Sequence, residues 1–216
     1  MRLLIALALL LHVATASARF GPSFSCDGKL SAAEQLICAN DEASYLDGFL
    51  SLSYRQLREW LSAEEWKEVV AEQRQWLAER DRCPDTACVV TRIKERSNAL
   101  GQRYSTAWKQ VESQLADQAF VNTAVTAGIA ALRKKYDGID DEWFGPLDPA
   151  QFECNPIGYH KARCSMSLGH ASCNDGSRGP GFAGFDVITP SSKDFKLAKV
   201  EAIDPCGTEL PTRGRR

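Results

Sequence analysis

Cysteines and histidines in the C-terminal part of this sequence have the types and spacing of metal ligands. Five of them follow one another at intervals of six, four, six and three positions: Cys154, His160, Cys164, His170 and Cys173. Thiolate sulfur and imidazole nitrogen are ligands that zinc prefers, so a zinc site is one interpretation. In an oxidising compartment the same cysteines form disulfides instead, and Cys206 makes their number even. We expect disulfides, with no metal and no other cofactor.

The first 18 residues have the features of a secretory signal peptide. Arg2 supplies a positive charge, Leu3 to Val13 form an apolar stretch broken by His12, and Ala16-Ser17-Ala18 is a small-x-small cleavage signal. The apolar stretch is too short to span a bilayer stably. We therefore expect cleavage after Ala18 and a soluble periplasmic or secreted protein without stable membrane insertion. An uncleaved membrane anchor is the alternative.

The eight cysteines divide evenly between the two halves of the chain. The first half holds Cys26, Cys38, Cys83 and Cys88, and the second holds Cys154, Cys164, Cys173 and Cys206. Cys26 precedes the first predicted helix and Cys38 ends it, whereas Cys83 and Cys88 flank a corner that contains Pro84. We therefore predict the local pairs Cys26–Cys38 and Cys83–Cys88. In the second half the three possible pairings stay open.

Composition and motifs argue against catalysis and against nucleic-acid binding. The formal net charge of −2 is far from the strongly basic face that nucleic acid requires. The sequence has no Gly-x-Ser-x-Gly elbow, no phosphate-binding loop and no zinc-protease helix. Outside the signal peptide only His160 and His170 offer imidazole chemistry, and neither has a recognisable nucleophile partner. We predict a protein that is not an enzyme.

The segment from Ser31 to about Tyr136 has the pattern of several amphipathic helices. Capping boxes at Ser31–Glu34 and Ser62–Glu65 mark two helix starts, with a helix from about Glu42 to Leu61 between them. We expect the third helix to run to about Arg82, a fourth to follow Pro84, and a possible fifth to end near Tyr136. Apolar stripes place these side chains inside: Leu46, Phe49, Leu50, Leu57, Trp60, Leu61, Trp66, Val69, Val70, Trp76, Leu77, Val89, Ile93, Leu100, Tyr104, Trp108, Val111, Leu115, Phe120, Ala124, Ile129 and Leu132.

Because isolated helices of this kind are marginal, their apolar faces must pack on each other. The predicted fold class is therefore mainly α, a small antiparallel helical bundle with local disulfides. A small disulfide-linked α+β or irregular C-terminal region follows. Phe182 to Ile188 and Leu197 to Ile203 are candidate short strands, and Asn174 to Ser177 is a candidate turn. We expect the tail from Arg213 to be disordered.

We predict four segments. They are a signal peptide at 1–18, a helical domain at 19–116, a helix or connector at 117–136, and a cysteine-containing region of unknown type at 137–216.

The helical domain resembles a known family. Its similarity lies in Cys26, Glu34 with Ile37-Cys38, Leu46-Asp47, Tyr54, Gln73-Arg74-Gln75-Trp76-Leu77 with Arg80-Asp81, and Cys83 with Cys88. In this order and spacing they resemble the N-terminal domain of the lysozyme inhibitor LprI family, over about Ser25 to Tyr104. The resemblance implies an exported, disulfide-linked helical domain that inhibits a lysozyme, in which Asp47, Gln73, Trp76, Leu77 and Arg80 are structural motif residues. Residues 117–216 match nothing recognised, and no lipid-attachment cysteine is present, so membrane tethering is not implied.

A lysozyme cleft works with two carboxylates, which an inhibitor can meet with arginine. Arg80 and Arg82 lie near the corner before Cys83, but Arg80 shares a helix face with Gln73 and Trp76. We therefore expect Arg80 to pair inside the bundle with Asp47 or Glu34, and Arg82 and Asp85 to be the possible partner contacts.

The sequence leaves two questions open, the function of the protein and the role of its tryptophans. The protein can instead be a non-catalytic periplasmic binding or structural module whose specificity lies in its C-terminal half. Trp60, Trp66, Trp76 and Trp108 can form either a sugar-stacking platform or part of the core, and helical spacing favours the core.

Overall fold

The computed structural model describes residues 21–137, 139–140, 145–173, 176, 178–189 and 194–213. The predicted signal peptide at 1–18 and residues Asn174, Asp175 and Ser177 of the predicted turn lie outside this set, as do Arg215 and Arg216 and the side chain of His170. The described helices are α1 (Ala32–Cys38), α2 (Asp41–Leu57), α3 (Ala63–Arg80), α4 (Thr86–Leu115) and α5 (Gln118–Lys135). The strands are β1 (Glu153–Gly158), β2 (Lys161–Ser172), β3 (Arg178–Ile188) and β4 (Lys196–Ile203), with short 3₁₀ turns at Arg58–Trp60 and Pro149–Gln151.

These elements confirm the predicted fold class, a disulfide-linked helical part followed by a small α+β region. The described residues form two compact units. The first unit comprises the described residues up to Leu52 together with Leu77–Glu95. The second unit comprises Ser53–Trp76 and the described residues from Arg96 onward. The division between the units falls within α2, α3 and α4.

Both predicted capping boxes are present at the helix starts. Ser31 N–H donates to Glu34 Oε2 at 2.7 Å, while Ser31 Oγ accepts from Glu34 N–H at 3.2 Å. Ser62 and Glu65 make the same reciprocal pair before α3, at 2.8 and 3.2 Å. Each pair satisfies backbone donors that a helix start leaves without an intrahelical acceptor. The helix ends differ from the prediction, because α2 passes into a 3₁₀ turn after Leu57 and α3 stops at Arg80 rather than Arg82.

The predicted apolar stripes are wrong at three positions. Phe49 is 47 % exposed, and Leu77 and Tyr104 are each 36 % exposed. Phe49 on α2 and Leu77 on α3 were misplaced because the buried face of each helix includes a charged residue, Asp47 on α2 and Arg80 on α3. A stripe drawn through apolar residues alone is therefore rotated away from the true interior face, and Phe49 and Leu77 fall outside that face.

The C-terminal part of the second unit is an antiparallel sheet in the order β1-β2-β3-β4. The sequence predicted β3 and β4 but missed β1 and β2. In β2 the buried residues Ala162, Cys164, Met166 and Leu168 alternate with less buried Arg163, Ser165 and Ser167, which is a strand pattern that the Cys/His spacing obscured. β1 is short, contains Pro156 and has a register shift near Gly158, so it carries a weak signal.

Helix α5 packs against the sheet, although we predicted that the helical faces would pack on one another. Its buried residues are Ala124, Val125, Gly128, Ile129 and Leu132, which join residues of the sheet in one apolar core. Gly128 is required by this packing, since a Cβ there would lie 2.1 Å from the Phe185 ring. The apolar face of α5 therefore has the sheet as its partner.

The start of the predicted disordered tail is ordered in the structure. Arg213 N–H donates to the carbonyl of Lys135 at 2.9 Å, and Arg213 Nε lies 3.0 Å from Asp137 Oδ1. Thr212 forms an isolated β-bridge with Tyr136. The prediction of disorder is therefore wrong for Arg213, whose backbone and side chain both have partners in the second unit.

Within the described part of the chain, no single helix is long and apolar enough to cross a membrane. The pair α4 and α5, bent by 80°, meets the length and composition criteria only when taken together.

Candidate functional site

The candidate site is the corner between α3 and α4 in the first unit, closed by the Cys83–Cys88 disulfide. After Arg80 the chain turns tightly, with Arg82 N–H donating to the Glu79 carbonyl at 3.2 Å and Cys83 N–H to the Arg80 carbonyl at 2.9 Å. These two bonds satisfy carbonyls at the C-terminal end of α3. The corner is therefore fixed by backbone bonds as well as by sulfur.

Asp85 fixes the other side of the corner. Its Oδ1 accepts from Cys88 N–H at 2.9 Å, which is the bond that a capping aspartate makes at a helix start. Arg82 and Asp85 are both exposed on this corner. The structure thus gives Asp85 a capping role and places the Arg82 side chain at the surface. The partner contact of these two residues stays a prediction.

Arg80 lies inside the first unit, in the position expected for a structural arginine. Arg80 is 5 % exposed and Asp47 is 3 % exposed. The guanidinium lies 3.6 Å from Asp47 Oδ1 and 2.7 Å from Asp81 Oδ1. Of the two interior partners predicted for Arg80, the structure gives Asp47, because the Glu34 carboxylate caps α1. Ser23 completes the cluster by donating its N–H and Oγ–H to Asp47 Oδ2, at 2.8 and 2.6 Å.

The other motif residues of α3 divide between interior and surface. Trp76 is 9 % exposed in the second unit, whereas Leu77 is at the surface. Gln73 Oε1 accepts from Arg96 Nε at 2.9 Å. Arg96 is a buried residue that the sequence reasoning missed, and it also reaches Glu72 Oε2 at 3.2 Å and the Val69 carbonyl. Its position within the apolar stripe of α4, between Ile93 and Leu100, was the available signal.

All eight cysteines are paired. The first half has the two predicted pairs, Cys26–Cys38 and Cys83–Cys88, with Cα–Cα distances of 5.8 and 5.5 Å. The second half, left open by the sequence, has Cys154–Cys164 and Cys173–Cys206. The cysteines of the Cys/His cluster are thus disulfide-bonded in this structure, and the described residues contain no cluster of three or more potential metal ligands.

The predicted tryptophan core is present in part. Trp60 and Trp76 are buried, whereas Trp66 and Trp108 are half-buried. Trp66 packs on Tyr54 with ring centroids 4.8 Å apart, and Trp108 stacks on Trp60 at 5.3 Å. Burial raises the pKa of the Tyr54 hydroxyl, while the charges of Arg96 and Arg74 oppose that shift.

Up to α4 the chain is a disulfide-linked helical module with interior ion pairs, and from α5 onward it is a helix-covered antiparallel sheet. The model of a family described as lysozyme inhibitor LprI matches residues 26–119. The match confirms the family resemblance of the N-terminal domain, extends it beyond Tyr104, and stops at the start of α5. No curated protein and no solved structure matches the chain. The matched family is one of inhibitors, not of catalysts.

Proposed function

We propose that this chain is an exported, non-catalytic inhibitor that binds a lysozyme and occludes its cleft. The observation that carries the proposal is the match of residues 26–119 to the lysozyme inhibitor family. Export to the periplasm or beyond the cell is part of the proposal, and it is supported by the signal-peptide pattern of the sequence and by the four disulfides, which suit an oxidising compartment.

The α3–α4 corner supplies the chemistry that such an inhibitor requires. A lysozyme cleft presents two carboxylates, and a guanidinium donates to a carboxylate through two parallel N–H bonds. Arg82 is an exposed guanidinium on a corner that is closed by Cys83–Cys88 and capped by Asp85. A loop that is already rigid loses little conformational entropy on binding, so more of the interaction energy appears as affinity. In the proposed complex Arg82 enters the cleft and Asp85 holds the loop that carries it.

Inhibition assays with the protein lacking residues 1–18 test this proposal. The purified protein, with its disulfides verified, is titrated against lysozymes of several structural classes while cell-wall hydrolysis is measured. We expect at least one class to be inhibited, with a stoichiometric end point and with no cell-wall hydrolysis by the protein itself. Full lysozyme activity in every class at micromolar excess of the protein would remove the inhibitor proposal.

The contribution of Arg82 is tested by substitution within the inhibitory protein. We expect Arg82→Ala to weaken inhibition at least about tenfold, because it removes a charged donor from a desolvated contact. Arg82→Lys should restore only part of the affinity, since an ammonium lacks the planar fork of the guanidinium. Arg74→Ala is the matched control, an exposed arginine of α3 away from the corner. Equal inhibition by all three variants would exclude Arg82 from the contact.

The second candidate function is a non-catalytic periplasmic binding or structural module whose specificity lies in the C-terminal half. One observation favours it, namely that the family match ends at residue 119, at the start of α5, and so leaves out nearly all of α5 and the whole sheet with their own apolar core. Failure of lysozyme inhibition, together with a ligand that protects the sheet residues from hydrogen exchange, would favour this candidate over the first.

A further inference from the structure

A cleft of about 380 Å³ lies in the second unit, and none of the residues that line it belongs to the α3–α4 corner. Glu65 and Glu72 of α3 form one wall, and residues of α4 form the other. Ala99 and Ala107 leave space between the helices because their side chains are short, and Trp60 lies against the same space. The volume falls within the range of about 300–1,000 Å³ that is usual for small-molecule sites.

Trp60 gives this cleft an aromatic surface whose orientation is fixed. Its ring stacks on Trp108 with centroids 5.3 Å apart and an interplanar angle of 30°. Tyr104 meets the same ring edge-on at 5.0 Å. Trp60 is buried, so only part of its ring reaches the cleft, and Tyr104 beside it is 36 % exposed. A tryptophan held by two other rings needs no reorganisation to receive an apolar face of a ligand.

The α4 wall presents neutral hydrogen-bonding groups at regular intervals. Gln102, Thr106 and Gln110 line the cleft at four-residue spacing, which places them on one side of the helix. Gln114 continues the row and is held in place, its Nε2 lying 3.3 Å from His160 Nδ1 and its Oε1 accepting from Thr189 Oγ1 at 2.9 Å. Amides and hydroxyls both donate and accept, so this row suits a ligand with many hydroxyl groups.

The charges of the cleft are balanced within the protein. Glu72 accepts from both Arg96 and Arg103. Glu65 accepts from the Oγ and N–H of Ser62, and these bonds lower the pKa of its carboxyl. The two carboxylates of the lining, Glu65 and Glu72, are thus balanced by Arg103 of the lining and by the buried Arg96, so this group of side chains carries no net charge. The cleft therefore favours a neutral ligand over an anion or a cation.

We propose that the cleft lined by Trp60, Gln102, Thr106 and Gln110 is a binding site for a neutral oligosaccharide. A sugar ring presents C–H groups, which pack on the exposed part of the Trp60 ring, and hydroxyls on its rim, which bond the glutamine amides and the carboxylates. The site is independent of the α3–α4 corner and of lysozyme inhibition, so either proposal can fail without the other.

Calorimetric titration of the full chain without residues 1–18 tests the site, with cellotetraose, maltotetraose and chitotetraose as probes. We expect saturable binding of at least one probe. Thr106→Tyr should weaken that binding at least about tenfold by filling the cleft. Thr91→Tyr is the matched control, because Thr91 is also exposed on α4 and its hydroxyl also donates to the carbonyl four residues earlier. It should bind as the unsubstituted protein does.

Three results would overturn the proposal. They are the absence of binding of all three probes at millimolar concentration, binding by Thr106→Tyr equal to that of the unsubstituted protein, and an equal loss in both variants. Circular dichroism of each variant establishes that the substituted proteins are folded. If Thr106→Tyr does not fold, Gln110→Ala replaces it, and it should weaken binding measurably.

Discussion

The two units of this protein fill their interiors with different groups. Apart from Cys83, the apolar interior of the first unit consists of small or medium side chains, Ala33, Ile37, Ala43, Leu50, Val89 and Ile93, and the Asp47–Arg80 pair lies buried with them. Two disulfides with sequence separations of 12 and 5 cross-link it. The second unit contains the apolar core of α5 and the sheet, which includes Tyr136, Phe152, Leu168 and Phe185.

The two units should therefore be sensitive to different substitutions. A small interior buries too little apolar surface to define its own geometry, so covalent links and a buried ion pair take over that role. A large aromatic and aliphatic core depends instead on close packing. We therefore expect substitutions of buried apolar residues to cost more in the second unit than in the first. Within the first unit, removal of a buried charge or of a disulfide should cost more than truncation of its small apolar side chains.

Among the substitutions considered, Phe185→Ala should destabilise the protein most. Phe185 is fully buried, packs on Phe152 at 5.6 Å and lies against Gly128. Its truncation removes transfer free energy and leaves a cavity, so we expect a loss of about 3–5 kcal/mol in urea unfolding followed by circular dichroism. Phe182→Ala, on the same strand but partly exposed, should cost about 1 kcal/mol. Equal losses would contradict the view that packing of this core dominates.

The Asp47–Arg80 pair should give the next largest effect, now in the first unit. Asp47→Ala leaves the buried Arg80 without its interior carboxylate, and removal of one partner from a buried pair typically costs about 3–5 kcal/mol. We expect about 3 kcal/mol, the lower end of that range, because Asp81 still accepts from Arg80. The measurement is again urea unfolding. Asp81→Ala, which removes the more exposed carboxylate, is the control, and a larger loss there would reverse the assignment.

Removal of a local disulfide should cost about as much for Cys26–Cys38 and somewhat less for Cys83–Cys88. Cys26 and Cys38 are 12 positions apart and close a ring of 13 residues, counting both ends, and Cys83 and Cys88 are 5 positions apart and close one of 6. On the chain-entropy model, replacing each pair by alanine costs roughly 3 and roughly 2 kcal/mol respectively. Thermal unfolding of the two double variants measures the order. If the smaller ring proved the more costly, native-state contacts rather than chain entropy would determine these losses.

The features of the first half that the sequence predicted are local. Both capping boxes connect residues three positions apart, and both disulfides close short rings, so the spacing alone specifies the partner. The family motif added Asp47 and Arg80 as structural residues, and their burial explains why the apolar stripes alone placed Phe49 and Leu77 wrongly. The role of Arg96 was missed because its partners Val69, Glu72 and Gln73 lie on another helix.

The second half was harder to predict because its partners are distant in sequence. Cys173 pairs with Cys206 across 33 positions, and that pairing depends on how β2, β3 and β4 are arranged. Cys154 lies opposite Cys164 only because β1 and β2 pair in that register. The face of α5 was visible in the sequence, but its periodicity is the same whether a helix or a sheet covers it. Identifying the partner required the structure.

The smallest effect that we predict is a dependence on pH carried by the sheet of the second unit. Buried Asp186 lies 3.0 Å from both Lys161 Nζ and Arg163 Nη1, and Arg163 also bonds Glu201. Burial of Asp186 opposes its ionisation, but the hydrogen bonds and charges of Arg163 and Lys161 outweigh burial and lower its pKa. Its ionised form therefore stabilises the fold fully above the unfolded-state pKa of about 3.9, and this contribution is lost as the pH falls through the folded-state pKa.

Unfolding in urea at pH 7 and at pH 3 tests this linkage. The loss of stability on acidification should be smaller in Asp186→Asn than in the unsubstituted protein, by on the order of 1 kcal/mol, because the amide cannot titrate. Asp194→Asn, at an exposed position before β4, should leave the loss unchanged. An identical loss in all three proteins would show that Asp186 does not carry the dependence. A reduced loss only in Asp186→Asn would show that the second unit, although built on packing, also has one ion-pair network that contributes to its stability.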